Sequence, residues 1–194
     1  MKFLLPIIIL ISTFSCKSEL DRHEVQLRET DSLKTAELVN QILGRERKRP
    51  MFPSCISEKP RAVELPKYGE FDQILNIYLD IRDSTHLRIQ KEKFQDFKIT
   101  SELAGDLHII TEDDFEKFEN QSKTKGTDFF EILDTLCVNG YFSISKPIFN
   151  ETFDLAFVQT GVICGGLCGG GEMTIYEWNN GKWFEKERIS GWVS

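Results

Sequence analysis

Apolar residues in the first half of the chain recur at helical spacing in two places. In the first, Asp31 and Ser32 are candidate caps and Gly44 could end the helix; the apolar positions between them are Leu33, Ala36, Val39 and Leu43. In the second, the spacing is i, i+3, i+4, i+7 and i+8, at Phe71, Ile74, Leu75, Tyr78 and Leu79. Both patterns predict amphipathic helices, and the prolines between residues 50 and 66 predict a loop between them.

The middle of the chain predicts two short strands followed by two helices. The strands are the apolar segments 94–99 and 107–110. Thr111 and Asp114 have the spacing of a capping box, which predicts a helix start there. Asp128 has the same relation to a second helix, whose apolar face is Phe129, Ile132, Leu133, Leu136 and Cys137. The carboxylates at 112–114 beside His108 allow a metal site, but acidic residues in a first helical turn are also what the helix dipole favours.

After Gly140 the apolar pattern changes from helical to strand-like. It predicts four strands, at residues 141–149, 155–163, 172–178 and 182–189. Asn180-Gly181 between the last two is typical of a tight hairpin, because both residues tolerate positive φ. Short links between consecutive strands predict an antiparallel meander. The predicted fold class is α+β, with helices packed on one antiparallel sheet, an order of elements similar to that of cystatin-like and NTF2-like folds.

The N-terminus has the order of an export signal. Lys2 supplies a positive charge, residues 3–11 supply a short apolar segment, and small polar residues precede Cys16. The apolar segment is shorter than the roughly 20 residues that a membrane-spanning helix needs. We therefore expect residues 1–15 to be a signal peptide, 16–30 a solvated tether and 31–194 one domain ending in the meander at 141–194.

The tetrapeptide Thr13-Phe14-Ser15-Cys16 resembles the lipobox of bacterial lipoproteins. The resemblance implies that Cys16 becomes the mature N-terminus and carries fatty-acyl chains such as palmitate. Thr13 replaces the usual leucine and Phe14 is bulky, so ordinary cleavage after a small residue is the alternative. The predicted location is the cell envelope, with the chain anchored to the outer membrane or to a periplasmic membrane face.

Composition and charge narrow the function classes. Hydrophobic residues make up 40% of the chain and charged residues 28%, as in ordinary globular proteins. The net charge is −7, and it becomes one unit more negative when Lys2 is removed. A negative surface repels phosphates, so general nucleic-acid binding is not expected. The basic run at 45–49 is interpreted as the favourable end of a helix rather than as a lipid or phosphate contact.

Residues 161–171 have the one unusual composition in the domain, with two cysteines among glycines. No helix follows the glycines, as a phosphate loop would need, and Cys164 and Cys168 are spaced C-x-x-x-C rather than as a redox C-x-x-C pair. Zinc would need two further ligands. We favour a disulfide between these cysteines, with the flanking glycines supplying positive φ angles. Cys55 and Cys137 could form a second bridge, although four cysteines allow three pairings.

The C-terminal third resembles a module shared by uncharacterised bacterial lipoproteins. The residues that carry the resemblance are Ser143 to Asn150, Leu155-Ala156-Phe157, Cys164-Gly-Gly-Leu-Cys168-Gly-x-Gly, Asn180-Gly181-Lys182-Trp183 and Trp192-Val193-Ser194. It covers about residues 128–194. The resemblance implies an envelope lipoprotein with an α+β module, and it implies no particular activity.

Two classes of function remain for this sequence. The first is a non-enzymatic binding module for an envelope protein, a glycan or a toxin. Its predicted recognition surface is Gly165, Gly166, Leu167, Gly169 and Gly170, where exposed backbone could approach a ligand closely. The second is an envelope hydrolase whose pocket combines dispersed carboxylates with a histidine. The sequence assigns no catalytic residue, metal or cofactor.

Overall fold

The computed structural model describes residues 15–61 and 75–194, with side chains from residue 21 onward. The helices are α1 Ser15–Glu46, α2 Ser84–Gln95, α3 Ser101–Ala104, α4 Glu112–Lys125 and α5 Phe129–Asp134, with a π-helical turn at Leu75–Leu79. The strands are β1 Cys55–Ser57, β2 His108–Ile110, β3 Tyr141–Ile144, β4 Ile148–Phe149, β5 Leu155–Gly165, β6 Cys168–Asn179 and β7 Lys182–Val193. The α+β fold class is confirmed.

The strands form one mixed sheet in the order β2-β1-β3-β5-β6-β7, with β4 paired to β5. The predicted meander is confirmed, since β3, β5, β6 and β7 pair antiparallel. The expectation of a wholly antiparallel sheet is wrong, because β1 pairs in parallel with both β2 and β3. Parallel neighbours need long connections, and here the connection between β1 and β2 contains α2 and α3. Since β1 is only three residues long and lies among prolines, the sequence predicted a loop there.

The sheet packs helices against both faces. On one face, α1 contributes Leu38, Val39, Ile42 and Leu43 to a core with Val158 and Tyr176 of the sheet. On the other face, Phe157 and Ile175 pack with Leu75 and Leu79 of the π-helical turn. That turn is the described part of the helix predicted at 71–79; the rest lies outside the described residues. A third cluster surrounds Cys55 and Cys137.

The first helix differs most from expectation. The segment predicted as a tether is helical, and Gly44 lies inside α1, which ends at Glu46. Its charges are paired with α2: Glu24 with Arg88 and Arg28 with Glu92. Leu33, predicted to face the core, is 73% exposed. A periodic apolar stripe is missing between residues 17 and 30 because ion pairs to a segment some 60 residues later replace apolar contacts.

The second helix corrects another prediction. Residues 94 and 95 end α2 rather than beginning a strand, Asp96 is in the turn that follows, and 97–100 belong to no helix or strand. Asp83 caps α2, and its side chain accepts a hydrogen bond from the Thr85 amide. Phe94 is on the buried face of α2, where it packs against the cluster that contains Phe157. Its apolar character therefore belongs to a helix and not to a strand.

The helix starts predicted at Thr111 and Asp128 and the hairpin turn are confirmed, whereas the start predicted at Asp31 is wrong. Thr111 and Asp114 form a reciprocal capping box at the start of α4. Asp128 caps α5, which is shorter than predicted, so Leu133 and Cys137 are buried while Leu136 is partly exposed. The turn between β6 and β7 has positive φ at both Asn180 and Gly181, as a type I′ turn requires.

Candidate functional site

The two predicted disulfides lie at one end of the sheet. Cys164 is bonded to Cys168, with Cα atoms 5.1 Å apart, and Cys55 is bonded to Cys137, with Cα atoms 5.4 Å apart. Gly140 joins the two regions: a Cβ there would overlap the Ile163 carbonyl oxygen, next to Cys164. Its φ of 79° is also one that favours glycine. The end of the sheet that carries the glycine-rich hairpin is therefore covalently fixed.

One of the two reasons predicted for the hairpin glycines, positive φ angles, is wrong. None of the glycines between residues 165 and 171 adopts a positive φ. Lack of room for a side chain explains the glycine at position 171, because a Cβ there would lie 2.5 Å from the Trp192 indole nitrogen and 2.8 Å from the Thr160 oxygen. A Cβ on Gly170 would come 3.3 Å from the Trp192 oxygen, whereas one on Gly166 would meet only Phe130, at 3.7 Å. Close packing of β7 against β6 accounts for the stem glycines but not for those at the tip.

A cleft of about 380 Å³ opens beside this hairpin. Its lining residues are Glu46, Arg49, Phe142, Thr160, Gly161, Val162, Gly170, Gly171, Glu172, Arg188, Gly191, Trp192 and Val193. Two rows of paired positions run along its floor, and all of them except Ile144 line the cleft: Phe142-Val162-Gly170-Val193, and Ile144-Thr160-Glu172-Gly191. Paired residues share a face of the sheet, and this is the face that α1 covers. The cleft exists because α1 ends at its edge and two of the eight positions are glycine.

Opposite charges line two sides of the cleft. Glu46, the last residue of α1, is buried and bonded to Arg49 at 2.9 Å and to Arg45 at 2.9 Å. Across the floor, Arg188 Nε donates to Glu172 at 2.9 Å, and the Arg188 side chain is 57% exposed. Each carboxylate therefore has a cation beside it, and the arginines present N–H groups toward solvent. This arrangement suits polar recognition, since guanidinium groups bind carboxylate and carbonyl oxygens.

Exposed apolar side chains surround the same end of the molecule. Leu167 at the hairpin tip is 92% exposed, Val193 90%, Met51 79% and Val138 65%. Val193 lines the cleft, Leu167 is at the hairpin tip, and Met51 is two residues after Arg49 of the cleft. Val138 is linked to the same region through its carbonyl oxygen, which accepts from Ser54 N. We call these four residues the apolar rim. Apolar side chains that cluster while exposed are typical of interaction surfaces.

The predicted recognition residues are only partly brought together. Gly170 lines the cleft, and Gly165, Gly166 and Leu167 lie at the hairpin tip beyond it. Gly169 lies between them, beside Ser194 and Val162. The charged residues of the cleft were not predicted from the sequence: Glu46, Arg49, Glu172 and Arg188. The basic run at 45–49 was the available signal, and its helix-end interpretation accounts for Arg45 but not for Arg49 in the cleft.

Other polar groups lie away from the cleft. His86 is buried and its Nε2 is 2.9 Å from the Phe149 carbonyl oxygen, while His108 is exposed on β2. Hydrogen bonds from Arg61 lower the pKa of Glu112, and the Thr111 hydroxyl lowers that of Asp114, so these carboxylates serve an ion pair and a cap. Within residues 15–61 and 75–194 no group of three or more His, Cys, Asp or Glu could hold a metal ion.

The predicted anchor lies at the edge of the described chain. Cys16 is in the first turn of α1, its side chain is not described, and the predicted signal peptide falls almost wholly outside the described residues. Among the helices that are described, none is long and apolar enough to cross a membrane. Comparisons with protein-family models, curated proteins and solved structures found no significant match. Lipidation and the C-terminal resemblance therefore stay predictions.

Proposed function

We propose that this protein is a lipid-anchored, non-enzymatic binding protein of the bacterial cell envelope. Its partner is another envelope protein, held at the cleft and the apolar rim. The observation that carries the proposal is the position of the rim: exposed Val193 lines a cleft with two ion pairs, and exposed Leu167 is at the tip of the hairpin beside it, at the end that carries both disulfides.

A protein partner fits this surface better than a glycan. Protein interfaces combine a dehydrated apolar centre with a polar border, and arginine is enriched in them. Leu167 and Val193 offer apolar contact, and Arg188 and Arg49 offer directional hydrogen bonds beside it. Rigidity also favours binding, because a surface held by disulfides loses little freedom when a partner docks.

Export is supported by the cysteines. Two bonded pairs, Cys55–Cys137 and Cys164–Cys168, are typical of an oxidising compartment. The hydrolase alternative gains no support from the cleft. Its carboxylates, Glu46 and Glu172, are each paired with arginine, and His86 is bonded within the core.

The test compares two exposed leucines. Leu167→Asp places a charge on the rim, whereas Leu33→Asp places one on α1, where the leucine is 73% exposed. A photo-crosslinking residue at position 193 in cells should trap one defined envelope protein. We expect Leu167→Asp to lose most of that product and Leu33→Asp to keep it.

The anchor is tested separately. An alkynyl fatty acid supplied to cells should label the wild type and not Cys16→Ser. Equal crosslinking in both leucine variants would contradict the binding surface, and label retained in Cys16→Ser would contradict the anchor.

A further inference from the structure

We infer that α1 is a rigid post that holds the cleft about 45 Å from the lipid on Cys16, so that the protein partner stands away from the anchoring bilayer. This inference rests on the proposed lipid anchor. It adds an orientation and a distance, which the proposed function does not contain.

The two ends of α1 give the distance. Cys16 lies in its first turn, and Glu46, its last residue, lines the cleft. Thirty residues at a rise of about 1.5 Å each span about 45 Å. An acylated cysteine sits at the bilayer surface, because its chains are buried in the membrane. The anchor and the cleft are therefore at opposite ends of one helix.

The post is rigid because the domain holds α1 along most of its length. Glu24 bonds to Arg88 at 2.8 Å, and Arg28 bonds to Glu92 at 2.6 Å. Lys93 Nζ donates to the Arg28 carbonyl at 2.6 Å. Further along, Leu38, Val39, Ile42 and Leu43 are buried in the core. The first of these ion pairs, at Glu24, is eight residues from Cys16, a length of about 12 Å along the helix.

The exposed side of α1 does not favour lying flat on a bilayer. Helices that lie in the membrane surface carry Lys and Arg beside a broad apolar face. The exposed positions of α1 instead include Asp21, Glu29 and Glu37 beside Arg22, and its two exposed apolar residues, Val25 and Leu33, line one shallow pocket rather than a broad apolar face. Anionic lipids would repel those carboxylates. An upright helix therefore has a lower free energy than a helix that lies flat on the bilayer.

The partner follows from this orientation. Lipid headgroups of the anchoring bilayer are out of reach of a cleft held about 45 Å away. A competing arrangement would insert the apolar rim into the bilayer, with exposed Lys48 and Arg49 on the headgroups. The two orientations place residue 48 at very different distances from the bilayer surface, so a distance measurement at that residue distinguishes them.

The experiment measures those heights on the full, lipidated protein. The protein is placed in phosphatidylethanolamine–phosphatidylglycerol vesicles that carry an acceptor dye on the headgroups. A donor dye is attached through an azido residue at position 26 or at position 48, both exposed. We expect strong energy transfer from position 26 and loss of most of it at position 48. If anchored protein shows equal energy transfer from the two positions, the upright orientation of α1 is wrong, whereas the proposed anchor and binding function are unaffected.

Insertions after Leu20 provide the matched control, since they leave all the described side-chain contacts intact. A flexible Gly-Ser insertion should let the domain tilt and raise transfer from position 48, while a helix-forming insertion of equal length should not. The same response to both insertions would overturn the rigid connection. Cys16→Ser should not bind the vesicles; if the wild type also fails to bind, the anchor is refuted and the post with it.

Discussion

The buried ionic centre under α1 and the open glycine-rich end of the sheet use polar groups in opposite ways. In the centre, Lys146 Nζ bonds to Asp31 at 2.7 Å, to Gln90 Oε1 at 3.1 Å and to the Pro147 oxygen at 2.6 Å. Lys146 is 2% exposed, so this network is closed to ligands. At the open end, the ion pairs of Glu46 and Glu172 border solvent beside exposed apolar residues. Charged residues mark a binding surface only where their remaining hydrogen-bonding capacity reaches solvent.

The closed network explains how three distant segments meet. Asp31 comes from α1, Gln90 from α2 and Lys146 from the bend between β3 and β4. Gln90 Nε2 donates to Asp31, and Gln90 Oε1 accepts from the Phe149 amide at 3.0 Å. A buried ion pair adds little stability by itself but makes alternative packings costly, because they would leave a charge unpaired. Its role is to fix α1 in register.

The largest expected effect comes from breaking that network. Lys146→Met leaves the Asp31 carboxylate buried with Lys93, 3.2 Å away, as its remaining cation. We expect the free energy of unfolding to fall by about 3–5 kcal/mol, as when one partner of a buried pair is removed, because methionine, unlike charged or neutral lysine, donates no hydrogen bond to the Asp31 carboxylate. Chemical denaturation of the variant and the wild type measures this change.

The double variant Asp31→Leu, Lys146→Met is the control for this prediction. Since it removes both charges, it should recover much of the lost stability. A double variant as unstable as Lys146→Met would mean that packing rather than the unpaired charge determines the loss.

A smaller effect is expected at the open end, from two glycines of one hairpin. Gly171→Ala must displace the Trp192 indole or the Thr160 oxygen, which should cost about 1–3 kcal/mol. Gly166→Ala meets only ordinary contact with Phe130, so stability should change by less than about 0.5 kcal/mol. Thermal unfolding of both variants checks the difference.

The same pair sharpens the proposed surface. Gly166→Ala keeps the fold and alters the tip, so its crosslinking to a partner reports on recognition without a stability effect. Equal destabilisation by both substitutions would contradict the description of Gly166 as an open position.

Local chemistry made part of the structure predictable from sequence. The capping box at Thr111, the Asn180-Gly181 turn and the strand alternation after Gly140 each depend on residues close in the chain. The disulfide Cys164–Cys168 was favoured for the same reason, since its cysteines are four residues apart. Short-range geometry of this kind does not depend on the rest of the fold.

The remainder depends on contacts between distant residues. Asp31 was expected to cap a helix, but it lies within α1 and pairs with Lys146, 115 residues later. The parallel strand β1 is too short to show a pattern. Of the predicted recognition residues only Gly170 lines the cleft. Its charged residues, such as Glu46, Glu172 and Arg188, resemble ordinary surface charges in the sequence until the fold brings them together.

The smallest expected effect is a change of stability with pH. Burial lowers the pKa of Lys146 from 10.5 to about 8, against the opposing effect of Asp31. Between these values the unfolded chain binds a proton at Lys146 that the folded chain does not, so the free energy of unfolding should rise with pH, by about 1 kcal/mol per unit. Burial also raises the pKa of Tyr176 from 10.0 to about 12, which lowers stability above pH 10. Denaturation in thiol-free buffer should therefore show stability increasing from pH 8 to 10, and the double variant Asp31→Leu, Lys146→Met should lack this rise. Identical pH profiles in the two proteins would mean that Lys146 keeps its proton throughout this range, and its ion pair with Asp31 would then stay charged in the closed centre.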